Sequence, residues 1–409
     1  MNTSTMVVLA VFAAVYAGMA LGRWPGLRVD RSGIAVLGAI ALYAAGIMNG
    51  GQALAAIDFP TLAVLFGLMI LSAQFAACGF YDRCSARIAA ADVAPPTILA
   101  LTIAVSGVLS AVLANDIVVF AMTPMLIRGL QGRGLDPRPF LIGLAGGANA
   151  GSAATVIGNP QNILIGQVGQ LEFWSFAAAC APPALAGLVC AYVAIRIVWR
   201  DALASRARKA AAAPADLPAL DRIGAAKAFV ATAALLVLFA TDLPQVTGVL
   251  AVAALLLVSR RRSTTEMFRM VDWQLILLFG GLFVVTAALA ATGLPRAAVD
   301  ALVAAGVRPD APGPLAVVAL AASNVIGNVP AVMLLLGALP DLSPAALHAL
   351  AVLSTLAGNL LIVGSVANII VAERARDCGV ILGLRDHARC GVPMTLASVA
   401  LAVLWFSIL

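Results

Sequence analysis

Long apolar stretches separated by short polar connectors run through the whole chain. About 20 apolar residues are needed for a helix to cross a bilayer, and stretches of that order recur from Met6 to Leu409. They predict spans near residues 6–22, 32–49, 60–79, 176–199, 228–241, 244–259, 272–292 and 391–409. The pattern therefore predicts an all-α polytopic membrane protein.

Four further apolar stretches do not fit simple spans. Residues 97–127 lie between two basic connectors, and two crossings need about 40 residues, so a re-entrant hairpin fits them better. Residues 313–339 repeat this pattern in the second half. Residues 139–167 and 345–373 are interrupted by glycine and asparagine, which predicts two discontinuous helices.

The polar residues inside these stretches occur in two matching sets. Ser110 precedes Asn115 by the same interval as Ser323 precedes Asn328, and each set ends in Gly-x-x-x-Asn-Ile, at 158–163 and 364–369. Carboxamides and glycines are unfavourable in hydrocarbon unless their polar atoms face partners or water. Paired interruptions in two halves of a membrane protein indicate the binding site of a transporter.

Arginine placement predicts the topology, because basic connectors stay in the cytoplasm. Basic connectors occur at residues 23–31, 83–87, 128–138, 196–227, 260–269 and 374–389. Both termini are then outside, in a bacterial-type inner membrane. Each half contains five spans, a re-entrant hairpin and a discontinuous helix, and the odd number of crossings inverts the second half. The predicted division is a first inverted repeat at 1–199, a cytoplasmic linker at 200–227 and a second inverted repeat at 228–409.

Composition excludes several other classes. The 409 residues are 62% hydrophobic and 11% charged, unlike a soluble domain, which is about 25% charged. The net charge of +6 resides in connectors, so we expect the lipid bilayer as a partner and no nucleic acid. Two histidines, without a His-Glu-x-x-His motif or a Ser–His pairing, argue against an enzyme. No cofactor is predicted.

A helix that stops inside the membrane exposes backbone carbonyls or amides that attract cations or anions. Two hairpin tips meeting two broken spans would gather such ends near the midplane. The predicted substrate- and ion-binding residues are Ser110, Asn115, Asp116, Asn149, Gly158, Asn159, Asn162, Ser323, Asn328, Asn359, Gly364, Ser365 and Asn368. Of these, Ser110, Asn115, Ser323 and Asn328 are candidate sodium ligands.

Asp116 is the predicted coupling residue. A carboxylate at midplane depth costs about 2.5–3.5 kcal/mol even on the insertion scale and is usually functional. It could carry a proton or bind a cation. The alternative is a carboxylate held by backbone donors for structure alone. The second set has Val329 at the equivalent position, so the two halves differ chemically.

Several motifs resemble the ion transporter superfamily, which includes arsenite permeases, sodium/proton antiporters, silicic-acid exporters and divalent-anion symporters. They are Ala114-Asn115-Asp116, the Asn149 to Asn162 segment with Gly158-Asn159-Pro160-Gln161-Asn162, Asn328-Val329-Pro330, and Gly358-Asn359 with Gly364-Ser365-x-x-Asn368. The similarity is strongest to the arsenite permease, antiporter and putative anion permease branch. The carboxylate symporters would have Ser-Asn-Thr at both hairpin tips, whereas this chain has Ala114-Asn115-Asp116 and Gly327-Asn328-Val329, which argues against dicarboxylate binding.

The resemblance implies a scaffold, a moving transport domain of the elevator type and a homodimer. The leading hypothesis is a secondary transporter of a small inorganic anion or metalloid, with arsenite-type efflux as the best single substrate, coupled to sodium or protons. A sodium/proton antiporter and a carboxylate or sulfate symporter remain alternatives. The chain lacks the Gly-x-x-x-x-Gly-Lys-Ser/Thr motif of ATPases, so we expect an ion gradient to drive it, and a separate soluble ATPase partner stays open.

Overall fold

The computed structural model describes residues 2–21, 24, 26–204, 220–241 and 243–409, and every regular element in these residues is a helix. The first half contains α1 Thr3–Leu21, α2 Arg31–Ala44, α3 Gly50–Ala56, α4 Phe59–Ala77, α5 Phe80–Ala90, α6 Pro95–Val112, α7 Asn115–Gly132, α8 Arg138–Ser152, α9 Pro160–Val168, α10 Phe173–Val198 and α11 Arg200–Leu203. The second half contains α12 Arg222–Leu238, α13 Gln245–Leu257, α14 Thr264–Arg269, α15 Trp273–Ala290, α16 Leu294–Ala304, α17 Pro312–Ile326, α18 Asn328–Ala338, α19 Pro344–Ala357, a short 3₁₀ turn Ile362–Gly364, α20 Val366–Asp377 and α21 Leu384–Ile408.

The predicted class, an all-α multi-pass membrane protein, is confirmed. Among the described residues, six helices are long and apolar enough to cross a membrane: α1, α4, α6, α10, α15 and α21. Within the predicted linker 200–227, α12 already begins at Arg222, with Asp221 as its N-cap. Residues 205–219 of that linker and Arg23 of the first basic connector lie outside the described residues.

Both predicted discontinuous helices are present. The first breaks between α8 and α9, where the Asn159 side chain accepts a hydrogen bond from the Asn162 backbone amide and Pro160 occupies the first turn. These are strong signals for starting a new helix. The second breaks between α19 and α20, and the 3₁₀ turn lies within that break.

The helix pairs predicted to be re-entrant hairpins are α6–α7 and α17–α18. The first pair covers residues 95–132, more than the 97–127 inferred from apolarity, because α7 continues through Arg128 into the basic connector. Gly327 joins the second pair with a φ of 93°, a conformation that favours glycine. Re-entrance of either pair stays a prediction.

The sequence of elements repeats along the chain, and the repeat includes two helices that hydrophobicity did not predict. Asp58 caps α4 and Asp272 caps α15. Each capped helix leads through a glycine with positive φ, Gly79 or Gly293, into the short helices α5 and α16, which are too polar to read as spans. A helix pair, a broken helix and a long final helix follow in both halves. The inverted orientation of the halves stays a prediction.

Candidate substrate and ion site

Asn162 and Asn368 hold the two helix breaks in shape. The Asn162 amide nitrogen donates to the carbonyls of Ser152 at 3.2 Å and Thr155 at 2.9 Å. The Asn368 amide nitrogen donates to the carbonyls of Gly358 at 2.8 Å and Leu361 at 3.2 Å, at the same intervals along the chain. Both side chains are buried. Each therefore satisfies carbonyls that the break deprives of helical partners.

Two reciprocal hydrogen bonds join the breaks. The Ser365 hydroxyl donates to Asn149 Oδ1 at 3.0 Å, and Asn159 Nδ2 donates to the Thr355 hydroxyl at 3.3 Å. Thr355 follows Asn149 by the same number of residues as Ser365 follows Asn159. Contacts that repeat with the partners exchanged are characteristic of a two-fold relation, which agrees with the expected repeat.

Asn149 is the centre of the buried polar network. Its amide nitrogen donates to Asn359 Oδ1 at 2.8 Å and to Asn368 Oδ1 at 3.1 Å. Its oxygen also accepts a hydrogen bond from Asn115 Nδ2 at 3.4 Å. Asn149 thus links the first helix pair, the first break and the second break. We call Asn115, Asn149, Asn359, Ser365 and Asn368 the amide cluster.

The tips of the two helix pairs meet beside this cluster. Asn115 and Asn328 line one small cavity of about 30 Å³, together with Gln161 and Ser365. Their side chains are only 4% and 6% exposed, so neither is turned toward lipid. The Asn115 backbone amide donates to the Gly158 carbonyl at 3.3 Å, and Asn328, with its amide oriented by its partners, donates to the Gly364 carbonyl at 2.6 Å.

The two candidate sodium pairs differ. Within the described residues, Ser110 Oγ and Asn115 Oδ1 are buried and have no hydrogen-bond partner. In the second pair the Ser323 hydroxyl donates to the Ser354 carbonyl at 3.5 Å, and Asn328 is bonded as described. Buried polar atoms are normally satisfied, so the two free oxygens of the first pair are the better candidates for binding a cation.

A cavity of about 670 Å³ leads to the same region, and Asp116 and Asn159 lie in its wall. Asp116 is the second residue of α7, and its carboxylate makes no hydrogen bond or ion pair with any described residue. The charged residues of the wall are balanced: Asp82, Asp116 and Asp272 against Arg128, Arg269 and Arg374. The three arginines belong to connectors predicted to be cytoplasmic.

Sequence reasoning missed Thr355, Gln161 and Ser152 as members of the site. Gln161 Nε2 donates to the Thr355 hydroxyl at 3.1 Å, and Asn159 Nδ2 donates to the Ser152 hydroxyl at 2.9 Å. Aligning the two sets through Asn162 and Asn368 places Thr355 opposite Asn149, and this would have identified it. Ser152 and Gln161 lie in the Asn149 to Asn162 segment that carries the family resemblance, but neither was predicted as a site residue.

We expect Asn162→Ala and Asn368→Ala to destabilise the protein by similar amounts, about 2 kcal/mol each, because each leaves two buried carbonyls without a donor. Thermal unfolding in detergent measures this effect. Gln131→Ala is the matched control, since this carboxamide is exposed and should shift the melting temperature little. Wild-type stability of either asparagine variant would contradict the structural role.

Comparison with known proteins agrees with this architecture. The silicon efflux transporter LSI3 of Oryza sativa subsp. japonica is 28% identical over 466 residues, covering 97% of this chain and 94% of that protein. An uncharacterized transporter of Mycobacterium tuberculosis is 26% identical and covers 98% of each chain. The crystal structure of the Alcanivorax borkumensis YdaH transporter, described as having an unusual topology, superposes with a TM-score of 0.52 at 14% identity over 100% of this chain and 99% of that one.

The first two relatives are named as transporters, and the family match over residues 7–357 shows that this chain is a transporter rather than an enzyme. At the level of families, residues 7–357 match the CitMHS family, described as a citrate transporter family. This family is not the arsenite permease and antiporter branch that the sequence motifs suggested. Membership of that branch stays a prediction. With most of its length matched, this chain belongs to the CitMHS citrate transporter family of membrane transporters.

Proposed function

We propose that this protein is a secondary transporter that exports a small, un-ionised metalloid hydroxide, with arsenite as the best single substrate, coupled to a proton or sodium gradient. Arsenite and silicic acid are mainly neutral polyhydroxyl molecules at neutral pH. The relative named as a silicon efflux transporter supports this substrate class.

The observation that carries the proposal is the uncharged character of the amide cluster. Its groups are carboxamides and a hydroxyl, which both donate and accept hydrogen bonds, as a polyhydroxyl molecule requires. Among the described residues, no Lys or Arg donates a hydrogen bond to it. A tricarboxylate such as citrate, which the family description suggests, would need several cationic partners there to offset its desolvation. Among the described Lys and Arg residues, only Arg31 is in the lining of the small cavity beside the cluster.

The wall of the larger cavity supports the same conclusion. Three aspartates face three arginines, so the route carries no excess positive charge that would concentrate an anion. Asp116 lies nearest the amide cluster along the chain, next to Asn115, and a negative charge there repels an anion while leaving a neutral hydroxide unaffected. Asp116 instead suits a proton or a sodium ion.

Alternating access would then move the broken helices and the tips between the two sides. We further propose that the protein is a homodimer in a bacterial-type inner membrane, with the three arginines of the larger cavity toward the cytoplasm. In that orientation the larger cavity is the cytoplasmic entrance. Substrate would enter there and be released outside when the coupling ion enters.

Sodium/proton antiport is the second candidate, and a specific observation favours it. Ser110 Oγ and Asn115 Oδ1 are buried without partners, close in sequence to the Asp116 carboxylate. Hard cations prefer such oxygen ligands. An antiporter would need only this cation site and would bind no metalloid.

Purified protein in liposomes separates these functions. Arsenite, silicic acid and citrate are each offered under an imposed proton or sodium gradient, without ATP. We expect arsenite or silicic acid to accumulate against its own gradient and citrate not to. Ion exchange with no solute movement would favour the antiporter, and gradient-driven citrate accumulation would reject the proposal.

A further inference from the structure

Arg31 and Asp116 carry opposite charges and line the same small cavity of about 30 Å³. Neither side chain makes a hydrogen bond or an ion pair with any described residue. A cavity of about 10–15 Å³ is large enough for one water molecule, so the small cavity has room for one or two waters or a small ion. Two opposite charges without a hydrogen-bond or ion-pair partner among the described residues therefore line one cavity and do not contact each other.

The two residues belong to different groups of helices. Arg31 is the first residue of α2, which packs against α1 and α15, and Asp116 is near the start of α7, which packs against α5 and α20. The cavity lies where α1, α2 and α15 meet the tips of both helix pairs and the two breaks. A relative shift of these groups would change the separation of Arg31 from Asp116.

Other charged groups nearby do not replace this pairing. Asp272 is the other carboxylate close to Asp116, but its oxygen already accepts a hydrogen bond from the Leu275 amide at 2.9 Å. Glu373 is the acidic neighbour of Arg31 and makes no ion pair with it within 4 Å in the described residues. Arginine stays charged under all relevant conditions, so the state of Asp116 decides whether the pair can form.

We propose that Arg31 is the internal counter-charge of Asp116 in the transport cycle. When Asp116 is ionised and the cavity holds neither coupling ion nor substrate, its carboxylate pairs with the Arg31 guanidinium and fixes α7 against α2. A proton or a sodium ion on Asp116 removes the attraction, and bound substrate keeps the two groups apart, so either one releases α7. Arg31 is thus a positioning residue that prevents movement of the empty transporter, and the inference rests on the function proposed above.

The test compares Arg31→Gln, Arg31→Lys, Asp116→Asn and the Arg31→Gln/Asp116→Asn double variant in liposomes, with arsenite as the probe. Arg28→Gln, an exposed arginine of the same connector, is the matched control. We expect Arg31→Gln to lower gradient-driven accumulation about tenfold, within the usual range for coupled sites, while arsenite exchange at equal concentrations persists. Arg31→Lys should retain part of the accumulation, and the double variant should be no worse than Asp116→Asn alone.

Full accumulation by Arg31→Gln, alongside its loss in Asp116→Asn, would overturn the inference and leave the proposed function intact. Equal loss of accumulation and exchange with a lower melting temperature would show a structural role only, and would also overturn it. If the wild type moves no arsenite, the proposed function fails. The pairing of Arg31 with Asp116 is then tested by a measurement that needs no substrate. Melting temperatures of the same variants should be non-additive at alkaline pH and additive at acidic pH, where Asp116 is protonated. Additive shifts at both pH values would reject the pairing.

Discussion

Asp116→Asn is expected to abolish gradient-driven transport while the protein still inserts and folds. Asparagine matches aspartate in size, so the start of α7 and the walls of both cavities keep their shape. The negative charge and the ability to release a proton are lost. The loss of a carboxylate at a helix N-terminus changes stability by only about 0.3–1 kcal/mol. Solute accumulation in liposomes under proton and sodium gradients, with melting temperature measured in parallel, checks both parts.

Asp82→Asn is the matched control, because Asp82 also lines the larger cavity but lies on α5, away from the amide cluster. It should keep gradient-driven transport. Asp116→Asn protein that accumulates solute with unchanged pH or sodium dependence would reject Asp116 as the coupling residue. The remaining explanation would then be a carboxylate kept only to stabilise the start of α7.

Gly158→Ala is expected to have the largest effect on stability, with loss of transport. A Cβ at Gly158 would lie 2.3 Å from the Ser152 carbonyl oxygen and 2.8 Å from that of Ser110. Both are backbone atoms at the first break and the first tip, and neither can rotate away. Overpacking of this kind costs about 3 kcal/mol at the upper end of its usual range. Thermal unfolding and arsenite transport measure the two consequences.

Gly364→Ala tests the equivalent position and should be milder. The nearest atom to its Cβ is the Asn324 side-chain oxygen at 2.5 Å, which can move, and the nearest backbone atom is the Gly358 carbonyl oxygen at 2.9 Å, farther than the backbone oxygens that Gly158→Ala would meet. Gly280→Ala is the control. Apart from its own helix backbone and chain neighbours, no described residue has an atom within 4 Å of a Cβ at this position, and alanine favours helix by about 1 kcal/mol over glycine. If Gly158→Ala protein were as stable as the Gly280→Ala variant, the backbone around Gly158 could move apart enough to accept a Cβ, which would contradict the close packing of the first break.

The sequence by itself determined the solvent, the helical class and the places where helices break. A chain that is 62% hydrophobic has too few polar residues to form a surface exposed to water on all sides. Gly158 to Asn162 combines a glycine at a close contact, a helix N-cap and a proline within five residues. Those properties are local, so they can be read without knowing what surrounds them. The equivalent intervals around Asn162 and Asn368 also gave the repeat.

Only the tertiary structure decided which polar groups face one another. Asn162 and Asn368 were expected to bind substrate, and the structure turns their amide nitrogens onto backbone carbonyls of their own breaks. Asn149 was one asparagine among several, and the structure places it at the centre of the amide cluster. Arg31, which sequence reasoning treated as a connector residue, lines a cavity with Asp116. Partners such as Asn149 and Asn359 are far apart in the chain. Hydrophobic periodicity specifies which side of a helix is apolar, but it does not specify which distant helix packs against that side.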